Sequence, residues 1–345
     1  MKLFPSSQPT VVTRRQLLGS TLALLGGLSW SLGLNLSLSA NALAQTAAYP
    51  SKSITMIVPF PPGGLADIVA RPVAEAMSRE LGQPVVIDAK PGASGIIAAD
   101  FVAKAPADGY TVMMTLPLTH VNNAILQTKL PYDPVKSFTP LSILATGGPM
   151  LVARANAPFN NIKEFVEYAK KKGSMNYGTW GTGSSAHLFG ELLSQQSGGK
   201  LVHAAYKSEA AAHNDLFGEL LDFAWANPST ARNQSQAGKL KVLGIAGTKR
   251  VSTMPNVATF SEQGYKGFDV DSWIGMYAPA NLPAEIQNNW VTALREITML
   301  PDIQARLVSF GFEPLGNTPA QFAEVFKADF PRVAELIKAA GVTAQ

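Results

Sequence analysis

The order of apolar and polar segments indicates an α/β protein with two doubly wound lobes and a ligand cleft between them. Short apolar strands alternate with amphipathic helices through most of the chain, a pattern typical of mostly parallel sheets covered by helices. Gly-rich turns lead from a strand into a helix in two places, over 59–64 and 180–184. At 345 residues, the chain is long enough to bury two cores.

Residues 1–44 have the pattern of an export signal. Arg14 and Arg15 open a stretch that resembles a twin-arginine signal, and an apolar run follows over 17–38. Residues 42–44, Ala-Leu-Ala, match a signal-peptidase site. An uncleaved membrane anchor is the alternative, because the run is nearly long enough to span a bilayer. Its Gly and Ser content and the cleavage pattern favour a cleaved signal and a periplasmic protein.

Charge and composition exclude several classes of function. The chain has 28 Lys and Arg against 24 Asp and Glu. Lys2, Arg14 and Arg15 leave with the signal, so the mature chain from Gln45 has a formal charge of +1 and offers no argument for nucleic-acid binding. The absence of cysteine excludes disulfides and a lipid-anchoring cysteine. The four histidines match no zinc motif, so we expect no metal and no cofactor.

The first lobe is predicted to begin with residues 45–145. Its predicted strands cover 53–58, 84–87, 110–115 and 141–145, and its predicted helices cover 67–81 and 96–104. Gly82 ends the first helix, and Asp108-Gly109 is a turn signal before the third strand. Residues 130–134 contain two prolines and are predicted to be a loop.

The second lobe is predicted over 146–246, and the chain then returns to the first lobe over 247–345. The second lobe's predicted strands are 150–153, 175–177, 201–205, 222–226 and 242–246, with helices near 161–172, 184–197, 210–220 and 230–237. The return has a predicted strand over 268–278 and helices over 283–298, 301–311 and 318–340. Hinge crossings fall near 141–148 and 246–270, and sheets of this kind bind ligands at the carboxyl ends of their strands.

Each Gly-rich turn is a candidate anion site. A helix start leaves backbone N–H groups unpaired and carries partial positive charge, and glycine lets a ligand approach that backbone closely. We expect Pro62, Gly63 and Gly64 to bind ligand at the first turn, and Gly181 and Gly183 at the second. The structural alternative is that these glycines only permit the turn. One turn in each lobe predicts a small anion held between the lobes.

Polar side chains near the predicted cleft are further ligand candidates. Thr119, His120 and Asn122 follow the third strand, where they either hydrogen-bond a ligand or cap the next short helix. The other candidates lie at the second turn or at strand ends: Thr179, Thr182, Ser184, Ser185, Tyr206 and Asn227. Ser184 and Ser185 are also N-cap candidates, so we expect at least one of them to be structural.

Asp67 is a candidate with a different predicted role. It lies in the first turn of the first helix, where its charge repels an anion but stabilises the helix start. Arg71 lies one turn further along, and we expect it to form a salt bridge within the first lobe.

Several motifs occur in an order and spacing that together resemble one known family. They are Val-Pro-Phe-Pro-Pro-Gly-Gly at 58–64 with Asp67 and Arg71, Pro-Gly-Ala-Ser-Gly at 91–95, the segment 103–111, Leu-Pro-Tyr-Asp-Pro at 130–134, Tyr-Gly-Thr at 177–179 with Gly-Thr-Gly at 181–183 and His187-Leu188, and Ala-Pro-Ala at 278–280. With these, the chain resembles the extracytoplasmic substrate-binding receptors of tripartite tricarboxylate transporters, the Bug family. The resemblance covers essentially the whole mature chain.

The resemblance implies a type II periplasmic-binding-protein fold that closes on a small ligand and performs no catalysis. It implies as partners a small organic acid (a di-, tri- or aromatic carboxylate, or a related amide) and the membrane permease subunits. It also places Asp222 on a strand that leads to the cleft. We expect a monomer.

The segment Tyr206-Lys207-Ser208-Glu209 departs from the family's usual Tyr-Lys-Gly pattern. Ser208 removes a glycine, and Glu209 adds a negative charge that repels a second carboxylate if it faces the cleft. Trp180 and Trp225 add bulk. These departures favour a ligand with an apolar or aromatic body over plain citrate. Apart from Arg71 and Lys207, the predicted cleft loops contain no cation, so recognition would rest on amides, hydroxyls and waters.

Other functions remain open at the level of sequence. Residues 183–187, Gly-Ser-Ser-Ala-His, resemble the nucleophile turn of an exported serine hydrolase, although the Gly-x-Ser-x-Gly pattern is absent. Gly178, Gly181 and Gly183 have the wrong order for a dinucleotide fingerprint. A receptor that signals to a membrane sensor has the same sequence features as one that serves a permease.

Overall fold

Two β-sheets organise the part of the chain that the computed structural model describes, residues 49–343. The predicted export signal over 1–44 lies outside the described residues. Within the described range, no helix has both the length and the apolar character that crossing a membrane requires.

Strands and helices alternate along the described chain. The strands are β1 (Ile54–Val58), β2 (Val85–Ala89), β3 (Thr111–Thr115), β4 (Phe138–Gly147), β5 (Met150–Arg154), β6 (Ser174–Thr179), β7 (Lys200–Ala205), β8 (Phe223–Ala226), β9 (Leu240–Ile245), β10 (Ser272–Pro279) and β11 (Glu313–Pro314). The helices are α1 (Leu65–Leu81), α2 (Ile96–Ala103), α3 (Asn123–Leu126), α4 (Ile162–Lys172), α5 (Ser185–Ser197), α6 (Glu209–Phe217), α7 (Pro228–Gln236), α8 (Ala284–Met299), α9 (Pro301–Ser309) and α10 (Pro319–Ala339).

The two sheets correspond to two lobes. The first has six strands in the order β11-β4-β10-β3-β1-β2, and the second has five in the order β7-β6-β8-β5-β9. β1 is parallel to β2 and β3, and β6 is parallel to β7 and β8. The predicted two-lobed α/β fold is therefore confirmed.

Both sheets are nevertheless mixed. β10 runs antiparallel to β3 and β4, and β5 runs antiparallel to β8 and β9. β4 leads almost directly into β5, and β10 follows the return from the second lobe. These strands enter their sheets from the other lobe, without the crossover helix that a parallel neighbour requires.

Most predicted elements coincide with observed ones within a few residues. The clearest difference is the return strand, predicted over 268–278, which begins at Ser272. The segment before it hydrogen-bonds to the hinge instead: the Phe268 carbonyl accepts from Gly247 N at 2.7 Å, and the Asp271 side chain accepts through Oδ1 from Thr248 N at 2.8 Å. The short strand β11 was not predicted.

The C-terminal helix α10 packs against β4 of the first sheet and α5 of the second lobe. Phe322 anchors it, because its ring contacts Trp273 and Tyr277 with centroid distances of 5.3 and 4.8 Å. Thr318 closes a capping box with Gln321 at the helix start. The helix thereby reaches both lobes and supplies one wall of the space between them.

Candidate functional site

A cavity of about 410 Å³ lies between the two lobes. Its volume is in the range of small-ligand sites. The first lobe lines it with Phe60, Pro61, Pro62, Gly63, Gly64 and Asn122, and the second with Trp180, Ser184, Ser185, Phe189, Lys207, Glu209 and Asn227. The hinge segments and α10 add Gly148, Pro149, Asp271, Ser272, Asp329 and Val333.

The first Gly-rich turn is closed by a carboxylate from its own helix. Asp67 is only 2% exposed, and its Oδ2 accepts from the Gly63 backbone N–H at 2.9 Å. Arg71 donates to both carboxylate oxygens at 3.0 Å. The predicted roles of Asp67 at the helix start and of Arg71 in a salt bridge within the lobe are therefore present. The Gly63 N–H, a predicted ligand donor, is already occupied here.

The second turn is held by Ser184 and His187. Ser184 is the N-cap of α5: its Oγ accepts from His187 N at 3.3 Å and donates to Gly181 O at 2.7 Å. The Gly183 N–H donates to His187 Nδ1 at 3.1 Å. Burial lowers the pKa of His187 to about 4, so the ring is neutral at pH 7 and Nδ1 is its accepting nitrogen. Ser184 is thus the structural member of the serine pair, while the half-buried Ser185 lines the cavity.

This geometry does not support a serine nucleophile. The Ser184 hydroxyl bonds to backbone groups, and the His187 ring accepts from a glycine N–H. The pair therefore lacks the hydroxyl-to-imidazole hydrogen bond of a catalytic triad.

Hydrogen bonds join the lobes beside the cavity on more than one side. Asn122, buried after β3, donates through Nδ2 to Gly183 O at 2.8 Å. Gly183 also packs against the first lobe so closely that a Cβ there would lie 2.8 Å from Leu126 Cδ1. On another side, Arg232 of α7 donates to Ser309 O at 3.1 Å. The lobes are therefore in direct contact, and Asn122 acts between them.

A carboxylate also occupies the second lobe's wall. Glu209 is the first residue of α6, and it lies against the start of α7. Its Oε1 accepts from the Asn227 backbone N–H at 2.9 Å, its Oε2 accepts from Asn227 Nδ2, and Thr230 adds a further hydrogen bond. Burial raises the pKa of Glu209 to about 7.

Comparisons with known proteins agree with this architecture. The family model described as the tripartite tricarboxylate transporter family receptor matches residues 69–342. The chain belongs to this family. Solved structures resemble it over most of the receptor.

The structure of periplasmic binding protein BugD is 36% identical, covers 86% of this chain and 100% of its own, and has a TM-score of 0.78. Rpa4515 of Rhodopseudomonas palustris, solved with adipate, is 30% identical with the same two coverages and a TM-score of 0.81. MatC (Rpa3494) of the same organism, solved with malate, is 29% identical, covers 84% and 100%, and has a TM-score of 0.76. These neighbours are solute-binding proteins, as is typical of the family.

The structure brings seven predicted site residues of the receptor to the cavity. They are Pro62, Gly63, Gly64, Asn122, Ser184, Ser185 and Asn227. Others lie near it but do not line it: Asp67, Thr179, Gly181, Thr182, Gly183 and Tyr206. Thr179 Oγ1 is bonded to His203 Nε2 at 2.7 Å, and the Tyr206 hydroxyl donates to Asp215 at 2.7 Å.

Three further candidates lie away from the cavity and correct the expectation from sequence. His120 stacks on Tyr277 at 4.2 Å inside the first lobe, where burial lowers its pKa to about 3, and Thr119 is buried beside it. Asp222 precedes β8, so it lies at the opposite end of that strand from Asn227. Its carboxylate pairs with Lys172 and accepts from Asn176 N at 2.9 Å.

Several cavity residues of the receptor were not predicted. Ser229 and Thr230 lie in the first turn of α7. The sequence Asn-Pro-Ser-Thr after a strand is typical of a helix start, so this part of the cavity could have been predicted. Asp271 and Ser272 come from the hinge return. Asp329 lies on α10, 7% exposed, and accepts from Trp273 Nε1 at 2.8 Å. No local signal in the sequence assigns Asp329 to the cleft.

Proposed function

We propose that this receptor captures a small carboxylate-type ligand between its two lobes in the periplasm and delivers it to the permease of a tripartite tricarboxylate transporter. The observation that carries the proposal is the cavity walled by strand-to-helix turns of both lobes, in a chain of this family. Adipate and malate in the neighbouring structures support the ligand class.

The proposed mechanism is a ligand-stabilised clamp. A ligand that contacts both lobes favours the closed arrangement by its differential affinity for that state. We assign ligand contact to Pro62, Gly64 and Ser185, and closure to the cross-lobe pair of Asn122 and Gly183. The permease then binds the surface that the closed form presents. The lobes divide, in this proposal, at 45–145, 146–246 and 247–345, after a signal over 1–44 that is cleaved on export.

A thermal-shift screen of the mature chain from Gln45 tests the proposed function. The panel contains dicarboxylates, tricarboxylates, aromatic monocarboxylates, ω-amino monocarboxylates and neutral amides, each followed by an assay for turnover. A ligand present at about 100 times its dissociation constant adds about 2.7 kcal/mol to the free energy of unfolding. A raised midpoint with one carboxylate class and no turnover supports the receptor. Hydrolysis of an ester or amide, without any stabilisation by carboxylates, contradicts it.

Delivery needs its own test. Permease subunits displayed in membrane vesicles should retain the liganded receptor more strongly than the unliganded one. Equal retention of both forms would contradict selective binding of the closed form by the permease.

A further inference from the structure

Three carboxylates line the cavity: Glu209, Asp271 and Asp329. The hydrogen-bond donors that hold them are neutral groups, namely Asn227 for Glu209, Thr248 for Asp271 and the Trp273 indole for Asp329. Among the described residues that line the cavity, Lys207 is the single Lys or Arg, and its side chain is exposed. The cavity wall is therefore acidic, although the family binds carboxylates.

Glu209 occupies the donors that a second ligand carboxylate would need. The backbone N–H and the side-chain amide of Asn227 both point to its carboxylate, as does Thr230. A helix start of this kind is the feature that would otherwise attract an anion. A ligand carboxylate placed here meets a like charge and donors that are already used. A carboxylate can accept about four hydrogen bonds, so capacity for one further donor remains.

The charge on Glu209 lacks compensation from the protein. Burial raises the pKa of Glu209 to about 7, and only hydrogen bonds from the neutral groups of Asn227 and Thr230 oppose that rise. Burial raises the pKa of Asp329 to about 6, although the Trp273 indole and the charge of Arg332 oppose it there. A cationic or hydrogen-bond-donating ligand group beside Glu209 would reduce the cost of holding it charged. A second anion would increase it.

We propose that Glu209 determines ligand class: the receptor prefers a monocarboxylate that carries an ammonium or amide nitrogen at its far end over the dicarboxylate of equal length. This inference rests on the proposed function, because it assumes that the ligand binds in this cavity. The ligand's own carboxylate lies away from Glu209. Phe60, Trp180 and Phe189 supply apolar wall for the body between its two ends. Selectivity then comes partly from repulsion of the wrong ligand.

Matched ligand pairs test the proposal by calorimetry on the mature protein. The pairs are succinate with 4-aminobutyrate, glutarate with 5-aminopentanoate, and adipate with 6-aminohexanoate, and adipate monoamide is added as an uncharged donor. In the pair whose length fits the cavity, the wild-type receptor should bind the nitrogen-bearing member at least about tenfold more tightly. Its ammonium group is attracted by the Glu209 carboxylate, whereas the second carboxylate of the dicarboxylate is repelled by it. Glu209→Gln should reduce that ratio by about tenfold or more, by weakening the amine and strengthening the dicarboxylate.

A charge-matched control separates the local effect from a general one. Glu167→Gln makes the same change on an exposed position of α4, outside the cavity, and should leave both affinities within about twofold of wild type. Glu209→Asp keeps the charge and should retain the preference for nitrogen. The far-ultraviolet circular dichroism of each variant checks its folding, and the wild-type ratio remains decisive if a variant fails to fold.

The outcomes distinguish this inference from the proposed function. If the wild-type receptor prefers the dicarboxylate, or if Glu209→Gln leaves the ratio of the two affinities unchanged, the inference is wrong while the receptor function stands. If no nitrogen-bearing member binds but a tricarboxylate or aromatic acid does, the inference is again wrong and the function stands. If no carboxylate of any class binds, both fail.

Discussion

Each lobe places a carboxylate in the first turn of a helix, and each of these carboxylates accepts a hydrogen bond from a backbone N–H. In the first lobe, Asp67 receives the Gly63 N–H and is paired with the Arg71 guanidinium. In the second, Glu209 receives the Asn227 N–H, and its other donors are neutral. A carboxylate with its own cation completes a helix start, whereas one without a cation leaves a charge that a ligand can neutralise.

Removing the cation in the first lobe should have the largest effect on stability. Arg71→Ala leaves the buried Asp67 carboxylate without its charged partner, so the free energy of unfolding should fall by about 2 kcal/mol in urea denaturation. The loss stays below that of a fully buried pair, because the Arg71 side chain is 62% exposed.

Arg79→Ala is the matched control on the same helix. It removes an i,i+4 pair with Glu75 in which both side chains are mostly exposed, and it should cost at most about 0.5 kcal/mol. Equal losses in the two variants would contradict a special role for the Asp67 pair.

Neutralising the Glu209 carboxylate in the second lobe should raise the free energy of unfolding instead of lowering it. Glu209 has its pKa raised from 4.5 to about 7, so the folded state holds its proton more strongly than the unfolded state. Its contribution to stability is therefore lost as the pH rises through that window. Glu209→Gln should match wild type near pH 4 and exceed it by about 1.5 kcal/mol at pH 8, a figure reduced for the partial exposure of Glu209.

The difference between variant and wild type is the quantity to measure across pH. Burial lowers the pKa values of His187 and His203 to about 4 and about 3, so their contributions rise with pH and overlap the window of Glu209. Subtracting one profile from the other cancels these terms. A difference that does not vary between pH 4 and pH 8 would show that Glu209 is not held charged at a cost.

Two Gly→Ala variants separate the effect on lobe closure from the effect of backbone strain. Gly183→Ala puts a Cβ at 2.8 Å from Leu126 across the lobes, and we expect about tenfold weaker ligand binding because closure is obstructed. Gly173→Ala is the control: Gly173 is the C-cap of α4 and has a similar positive φ, but an added Cβ there would meet open space. Both should lose about 1 kcal/mol of stability to strain. Binding losses of equal size would contradict the contact between the lobes at Gly183.

The smallest predicted effect concerns the amide that joins the lobes. Asn122→Ala removes the hydrogen bond to Gly183 O, and a loss of about 1 kcal/mol from the closed state should weaken ligand binding about fivefold in calorimetry. Gln196→Ala is the control, because its amide donates to Lys266 O in the return segment that packs on the second lobe, and neither residue lines the cavity. An unchanged affinity in Asn122→Ala would remove this residue from closure.

Local patterns in the sequence predicted much of this architecture. Arg71, one turn after Asp67, was predicted to form a salt bridge within the first lobe, and the structure gives it Asp67 as its partner. The serine pair after the second turn predicted an N-cap, which the structure places at Ser184. The alternation of strands and helices predicted two lobes. Each of these depends on residues within a turn or two of one another, where spacing alone determines which groups meet.

Long-range packing limited what could be predicted of the site. His120 is enclosed by Tyr277 of β10 and Phe138 of β4, and no local pattern reveals such neighbours. Asp329 reaches the cavity only because α10 packs across both lobes. The error at Asp222 could have been avoided from the sequence. Asp222 precedes β8, which is parallel to β6, so it lies at the amino end of the strand, whereas the cleft lies at the carboxyl ends.

Binding of a ligand between the lobes should change the distance between them in solution. The chain contains no cysteine, so one spin label on each lobe can be introduced at exposed positions by Val86→Cys and Val202→Cys. Pulsed electron paramagnetic resonance then measures the distance distribution with and without the tightest ligand of the screen. We expect the ligand to narrow the distance distribution and to shift it towards the arrangement in which the lobes are in contact, and we expect Gly183→Ala to weaken this response. A distribution that is identical with and without saturating ligand would contradict binding between the lobes.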